Sequence, residues 1–481
     1  MSPPPPAIGA LDQGTSSTRA LRLEPDGSLT VTHQMRHRIS LPQPGWVEMG
    51  PLELRQNLLA CAESLGPVAA IGLANQGESC LAWDAKTCAP LSPVLSWQDN
   101  RGTEILEEFR QSGAAAEVET LSHLPLDPYF SASKLAWLLR HVPAVQDAAR
   151  AGRLRLGTTD AWFLHSLCGR CVTDRATASR TGLLDMARGE WDRQLCALYG
   201  IDVETLPQIT ASVGDFGSLG EVPVTASIVD QQAALFGHGA RSPGDMKFTF
   251  GTGGFALGLT KATAEEIRAA GLLPTIAWDL GDGPQHAFDG GVRDVGTVVD
   301  WLLTSGLAED LETFAHPAPR MAAQGLVCLP VFSGLGAPDW QADAQPLILG
   351  FTRDTTRQHL ALAALEGVAF LASRVLKTAE PLLGETKAAV PVDGGVSRSG
   401  HMMQALADYA DRTIHRVSGH ERTALGTAQL TALGAGLPCP AEKDKNVGTL
   451  FSAQPLAPQE ERQLNRALRL STFDVLQMHD F

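Results

Sequence analysis

Apolar and polar positions are patterned most clearly near the start of the chain. Residues 7–11 form a short apolar run and Thr18 to Leu23 a second, separated by the polar turn Asp12-Gln13-Gly14-Thr15-Ser16-Ser17. This predicts a hairpin with hydroxyls at its tip. Pro25-Asp26-Gly27-Ser28 is a second turn signal. After it Leu29, Val31, Met35 and Ile39 fall on one face, and Thr30, Thr32, Gln34, Arg36 and Arg38 on the other. Three antiparallel strands are therefore expected. A helix follows from Pro51, a residue tolerated in a first turn, with the apolar stripe Leu54, Leu58, Cys61 and Leu65, and then a strand from Val68 to Ala74.

The opening pattern returns near the middle, where Lys247 to Phe250 reads as a strand, Gly251-Thr252-Gly253-Gly254 as a turn and Phe255 to Leu259 as a returning strand. The two Gly-Thr turns lie about half the chain apart. That spacing suggests a duplicated domain with a boundary near Gly239 to Asp245 and a ligand between the copies, although Gly-Thr hairpin tips also occur in unrelated large proteins. Val224 to Val229 reads as a strand running into a helix at Asp230-Gln231-Gln232. A carboxylate at such a junction either faces a ligand or caps the helix. Asp393-Gly394-Gly395 lies between a strand-like segment, Ala388 to Val392, and a helical one, Met402 to Tyr409. Its glycines admit a flat group close to the backbone or simply turn the chain into the helix.

Composition narrows the possibilities. With 481 residues, 44% of them hydrophobic and 19% charged, the chain is globular and long enough for about two domains. A net charge of −15 argues against a nucleic-acid partner, because phosphate backbones demand clustered Lys and Arg. Met1 to Pro6 is a proline run without the basic and apolar regions of a signal peptide. Leu360 to Leu376 is apolar but interrupted by Glu366 and Arg374, and reads as too short and too polar to span a bilayer. A soluble, cytoplasmic protein is expected, with no membrane insertion and with room for self-association as a homo-oligomer. Its eight scattered cysteines fit a reducing compartment. Cys168 and Cys171, with His165 nearby, lack the second ligand pair of a zinc site, and their spacing reads as coincidental.

Gly-, Thr- and Ser-rich hairpin tips offer backbone N–H groups and hydroxyls to phosphate oxygens. Neither GxxxxGK[ST] nor a GxGxxG following a strand is present, so P-loop and dinucleotide folds are excluded. Asp12, near the end of the first strand, is a carboxylate suited to Mg²⁺, directly or through water.

Taken in order, a longer set of motifs resembles the FGGY family of carbohydrate kinases, and within it the glycerol kinases, from about Ile8 to Leu437. The matching segments are Leu11-Asp12-Gln13-Gly14-Thr15, Gly45-Trp46-Val47-Glu48, Asn75-Gln76-Gly77-Glu78, Trp97-Gln98-Asp99, the stretch Tyr129 to Trp137, Thr173-Asp174 with Ala178-Ser179-Arg180-Thr181, Asp230 to Gly237, Phe250-Gly251-Thr252-Gly253, Gly334 to Pro338, Asp393-Gly394-Gly395 and Thr423-Ala424-Leu425-Gly426. The resemblance implies an α/β protein of two actin-like, ribonuclease-H-like domains flanking a catalytic cleft. Residues 1–240 would bind the substrate and 241–481 ATP. It implies an ATP- and Mg²⁺-dependent phosphotransferase acting on a primary hydroxyl of a small polyol, glycerol or one of four to five carbons.

The same resemblance assigns roles. Asp230 falls on the catalytic base and Asp12 on the magnesium-associated aspartate. Thr15, Ser16, Arg19, Gly251 and Thr252 fall where phosphate contacts are expected, and Gly296, Gly395 and Ser399 in the nucleotide pocket. Polyol contacts carry over to Glu78, Trp97, Tyr129, Gln231 and Phe255, besides Asp230. Three departures stand out. Gly77 replaces an arginine that contacts glycerol hydroxyls in glycerol kinases, which would open space for a longer polyol unless another arginine reaches in. Ser399 replaces an asparagine near the adenine, and Asp300 replaces a glutamine. The linker before Val222 lacks the glycine- and basic-rich loop with which bacterial glycerol kinases bind a sugar-bisphosphate inhibitor. Two other readings remain open: a ketopentose kinase of the same family, and a non-catalytic actin-like nucleotide-binding protein.

Overall fold

The computed structural model describes residues 7–384, 388–418, 421–439 and 448–472; the proline run at Met1 to Pro6 lies outside the described residues. The chain forms two compact units. The first comprises Met1–Ala240, Pro274–Ala287 and Glu421–Lys445, and the second Arg241–Leu273, Phe288–His420 and Asn446–Phe481.

The first unit is built on a six-stranded sheet in the order Ser218–Leu219, Val222–Val229, Ile71–Asn75, Ile8–Gln13, Ser17–Leu23, Leu29–Arg36. Its three central strands are parallel, with Gln13, Asn75 and Val229 side by side. Ile8–Gln13 and Ser17–Leu23 form the expected hairpin, with Asp12 opposite Arg19. In the next strand a register shift opposite Ala20 and Leu21 leaves Thr32 as an extra residue. The bulge reverses the inside–outside phase, so Val31, expected on the buried face, is 45% exposed. The helix Pro51–Ser64 begins at its proline and buries Leu54, Leu58 and Cys61 against this sheet's core, as its stripe predicts.

One element of this unit comes from far along the chain. The helix Arg422–Gly434 packs Ala424, Leu425, Ala428 and Ala432 against Ile8, Ala10, Leu21 and Leu23. It also crosses the helix Asp230–Gly237 at backbone distance. A Cβ on Gly426 would sit 1.8 Å from the Ala233 carbonyl oxygen, and one on Gly237 2.1 Å from that of Arg422. No side chain larger than hydrogen fits at either position.

The second unit repeats the opening plan. Met246–Phe250 and Gly254–Leu259 form an antiparallel hairpin, and Met246–Phe250 pairs in parallel with Val390–Asp393, followed by Ile414–Val417 and Gly448–Phe451. The duplicated hairpin-plus-parallel-strand arrangement suggested by the two Gly-Thr turns is thus present in both units.

The apolar stretch around Leu360 lies in a helix, Arg357–Leu383, of 27 residues. It is long enough to cross a bilayer, so the expectation that it is too short is corrected. What marks it as a core helix is that 83% of its most apolar window is buried inside the protein. Its buried Glu366 accepts hydrogen bonds from the backbone N–H groups of Met321 (2.7 Å) and Ala322 (3.1 Å) and from the Tyr409 hydroxyl (3.1 Å), and pairs with His401 (3.0 Å).

Candidate active site

Parallel strands expose their carboxyl ends together, and ligands of open α/β sheets bind there. In the first unit this edge gathers three carboxylates from distant parts of the sequence. Asp12 is next to last in its strand, Glu78 lies three residues beyond Asn75, and Asp230 immediately follows Val229. Arg19, across the hairpin, donates from Nη2 to Asp12 Oδ2 at 2.5 Å and from Nη1 to Glu421 Oε1 at 2.9 Å. Burial lowers the Arg19 pKa, but the negative charges of Asp12, Glu421 and Asp230 outweigh it and the net shift is upward. Arg19 is therefore a fixed cation among these carboxylates.

At the hairpin tip Ser16 is exposed, while the Thr15 hydroxyl accepts a hydrogen bond from Trp97 Nε1 at 3.0 Å. The turn carrying Glu78 is tied to the same hairpin: Gln76 Nε2 donates to the Gly14 carbonyl (3.4 Å), and the Ser79 hydroxyl donates to Gln76 Oε1 (2.9 Å) while accepting from the Trp97 N–H (3.0 Å). Trp97 meets Tyr129 edge to face at 5.8 Å. Tyr129 in turn belongs to a loop fastened by a fully buried lysine. Lys134 Nζ donates to the carbonyls of Pro128 (2.7 Å), Tyr129 (2.7 Å) and Phe130 (3.2 Å), using all three ammonium hydrogens. The structure thus brings Glu78, Trp97 and Tyr129 to one wall.

Asp230 is not the helix cap. The N-cap of Asp230–Gly237 is Val229, with no side-chain cap, and Asp230 is the first helical residue, its Oδ1 accepting from the Gln231 N–H at 2.6 Å. Thr423 Oγ1 donates to the Asp230 carbonyl at 3.4 Å. Gln231 is half-buried beside it.

The second unit presents the corresponding edge. Thr252 is exposed at the tip of its turn, and the Gly251 N–H donates to the Gly253 carbonyl at 2.9 Å. Phe255 is half-buried at the start of the returning strand, its ring 3.1 Å from where a Gly253 Cβ would lie. Gly296 opens the helix Gly296–Thr304, and its N–H donates to the Thr252 carbonyl at 2.8 Å; a Cβ there would lie 2.9 Å from Thr252 Cα. That close packing accounts for a glycine at 296. A Cβ on Gly395, by contrast, would meet nothing within 4 Å. Ser399 is fully buried and caps the helix Gly400–Ala410, accepting from the Met402 N–H and donating to the Phe314 carbonyl, both at 3.2 Å. Asp300 is exposed on the helix that Gly296 begins. Among the described residues no cluster of three or more His, Cys, Asp or Glu could hold a metal ion, the Cys168/Cys171 pair included.

Residues 7–237 match the N-terminal domain of the FGGY family of carbohydrate kinases, and residues 246–435 its C-terminal domain. The chain belongs to this family. It is therefore a carbohydrate kinase, a phosphotransferase of the two-domain actin-like, ribonuclease-H-like fold, and it works with ATP and Mg²⁺ as the family does. The non-catalytic reading falls away. Among its relatives are a glycerol kinase from Alkalilimnicola ehrlichii, 38% identical over 90% of this chain and 90% of that one, and a glycerol kinase from Aromatoleum aromaticum, 39% identical over 89% and 90%. Among solved structures, Plasmodium falciparum glycerol kinase with ADP superposes with a TM-score of 0.88 at 27% identity, covering 98% of this chain and 99% of the other. A xylulose kinase from Lactobacillus acidophilus, at 20% identity and a TM-score of 0.82, over 97% and 96%, shares the fold.

Three residues at the kinase's polar edge carry no role in the sequence reading. Glu421 reaches Arg19 across 402 positions of sequence, and Arg180 reaches Glu78 across 102. Neither spacing is periodic; Arg180 lies within the family-matching segment Ala178-Ser179-Arg180-Thr181, which marks the residue but not its partner. Lys134 also lies within a segment that matches the family, between Ser133 and the apolar run Leu135-Ala136-Trp137.

Proposed function

We propose that this kinase phosphorylates a primary hydroxyl of a small polyol, glycerol or a four- to five-carbon polyol, with Asp230 as general base. The observation that carries this reading is that Asp230 follows a central parallel strand without serving as its helix's cap. Its carboxylate, oriented by the Gln231 N–H, takes the hydroxyl proton while the oxygen attacks the γ-phosphorus of ATP. Phosphoryl transfer depends mainly on positioning and charge neutralisation, so one base and a set of fixed donors suffice. Glu78 and Gln231 bind polyol hydroxyls, and Trp97 and Tyr129 form an apolar wall; Phe255, in the second unit, keeps the polyol role that the family resemblance gives it. In the first unit Thr15, Ser16 and Arg19 are phosphate contacts, and in the second Gly251 and Thr252. Gly296 and Gly395 belong to the nucleotide pocket, while Ser399, buried with its hydroxyl engaged at a helix cap, acts there only by fixing the helix Gly400–Ala410.

Asp12 is the carboxylate that would hold Mg²⁺. A single buried carboxylate rather than a three-ligand cluster suits an ion carried chiefly by nucleotide phosphates. When bound, Mg²⁺ supplies neutralisation of the phosphate charge. Relatives named glycerol kinases at 38–39% identity favour a short polyol over a ketopentose.

The test is a coupled assay for ADP release with glycerol, erythritol, threitol, xylitol, ribitol, xylulose and ribulose. A polyol should give the highest kcat/KM, and a ketopentose in first place would overturn the polyol assignment. Asp230→Asn should lower kcat about 10²- to 10⁴-fold with MgATP binding retained. Near-normal turnover would remove Asp230 from the chemistry.

A further inference from the structure

Gly77 leaves the polyol site without the side chain that glycerol kinases use there, yet the space it vacates is filled. A Cβ on Gly77 would lie 3.1 Å from Val229 Cγ1 and 3.4 and 3.6 Å from Arg180 Cγ and Cβ. The aliphatic stem of Arg180 therefore runs through the region that a side chain at 77 would enter. Beyond it the guanidinium donates from Nε to Glu78 Oε1 at 2.6 Å, with both side chains buried. Nη2 makes a longer contact of 3.4 Å to the Tyr129 hydroxyl. The Arg180 Cζ lies 5.7 Å from the Tyr129 ring and 5.9 Å from that of Phe130, within range of a cation–π attraction.

Arg180 is held from behind. The short helix Arg175–Ser179 that precedes it is capped by the buried Asp174, which accepts from the N–H groups of Thr177 (2.9 Å) and Ala176 (3.2 Å) and from the Ser212 hydroxyl (2.6 Å). The residue after it, Thr181, accepts at its carbonyl from the Ala132 N–H (2.8 Å), and the neighbouring Ser131 hydroxyl donates to the Glu78 carbonyl (2.9 Å). The loop bearing Tyr129, the turn bearing Glu78 and the helix end bearing Arg180 are thus cross-linked into one frame.

We propose that Arg180 is the specificity-determining arginine of the acceptor site, holding the Glu78 carboxylate and the Tyr129 hydroxyl as one unit that reads adjacent hydroxyls of a polyol. This rests on the polyol reading above. A planar guanidinium can engage both partners at once through its fixed fork, which an ammonium cannot. Gly77 is then the complement of this arrangement rather than a widened pocket, since a larger residue there would displace the Arg180 stem.

The test compares Arg180→Lys, Tyr129→Phe, Gly77→Arg and the wild type in steady-state kinetics, each against the acceptor the wild type prefers and against MgATP. Wild-type turnover across the panel of polyols and ketoses decides the polyol reading, whereas the variants decide the role of Arg180 on whichever acceptor is best, so the two fail separately. Arg180→Lys should raise KM for that acceptor about ten- to hundredfold, the scale of a lost charge-assisted hydrogen bond, with KM for MgATP unchanged. Tyr129→Phe should give a smaller shift of the same kind, and it decides the matter if Arg180→Lys does not fold. Gly77→Arg with Arg180 in place should lower kcat/KM for glycerol. An acceptor KM unmoved in both Arg180→Lys and Tyr129→Phe, an equal rise in KM for MgATP, or improved glycerol use by Gly77→Arg would each overturn the proposal.

Discussion

Replacing Asp160 by Asn should change how the stability of the first unit depends on pH. Asp160 is fully buried at the start of the helix Thr159–Cys168, and its Oδ2 accepts from the Thr173 hydroxyl at 2.7 Å. Burial pushes its pKa up from 3.8 to about 6. The unfolded chain ionises at the ordinary value and the folded chain only near 6. Folding therefore loses stability as pH rises through this window, and the full penalty applies above it. At about 1.4 kcal/mol per tenfold, the gap corresponds to roughly 3 kcal/mol at neutral pH, most of it developing above pH 4. An amide keeps the acceptor for Thr173 and carries no charge, so the variant escapes the pH-dependent part. Burying its NH₂ group adds a cost of its own, about 1 to 3 kcal/mol, but that cost is independent of pH. The readout is therefore the difference in Tm between variant and wild type, followed from pH 4 to 7.5 by scanning fluorimetry. It should move in favour of Asp160→Asn by roughly 5 to 10 °C as pH rises. A difference constant with pH, or moving the opposite way, would refute the reasoning. Thr173 adjoins Asp174, the cap of the helix that leads to Arg180, so the same titration bears on the frame of the acceptor site.

Two further substitutions probe the two units. Gly394→Ala would bring a Cβ to 2.2 Å from the Phe250 carbonyl oxygen, at a residue whose φ is +92°. It should cost about 2 to 4 kcal/mol and raise KM for MgATP, because Phe250 leads directly into Gly251-Thr252; thermal melts with nucleotide kinetics check both. Lys134→Met would leave the carbonyls of Pro128, Tyr129 and Phe130 without their shared donor. A loss of about 3 kcal/mol or more, with a raised KM for the acceptor and an unaltered KM for MgATP, is the expected outcome in denaturant titrations and initial-rate assays.

Much of the scaffold of both units was legible because its signals are local. The Gly14-Thr15 and Gly251-Thr252 hairpins and the helix from Pro51 follow from turn residues and apolar period alone. The bulge at Thr32 was not legible, since an extra residue in one strand is defined only by its partner. The length of Arg357–Leu383 was underestimated because Glu366 and Arg374 read as interruptions. In the folded chain Glu366 is met by two backbone amides, a hydroxyl and an imidazole, and Arg374 donates to Asp339 at 2.7 Å. At the site, Asp230 on sequence grounds alone read more readily as a cap than as a ligand-facing carboxylate, because whether the residue before it begins the helix is not written in the local sequence. In the folded chain the N-cap is Val229. The pairing of Arg180 with Glu78 depends on the turn after Asn75 and the helix capped by Asp174 meeting in space, which no spacing encodes.

The glycine-to-glycine crossing of Arg422–Gly434 on Asp230–Gly237 bears on how the protein is made. The apolar floor under Ile8, Ala10, Leu21 and Leu23 is supplied by residues that leave the ribosome some four hundred positions later. The half of the molecule that is synthesised first is thus the one that must wait for its last piece, whereas a hairpin such as Ile8 to Leu23 has all its own strands at once. A nascent chain halted before Glu421 exposes that sheet face and leaves the helix of Asp230 without its neighbour. The aspartate's helix gains its neighbour only once Arg422–Gly434 has been made.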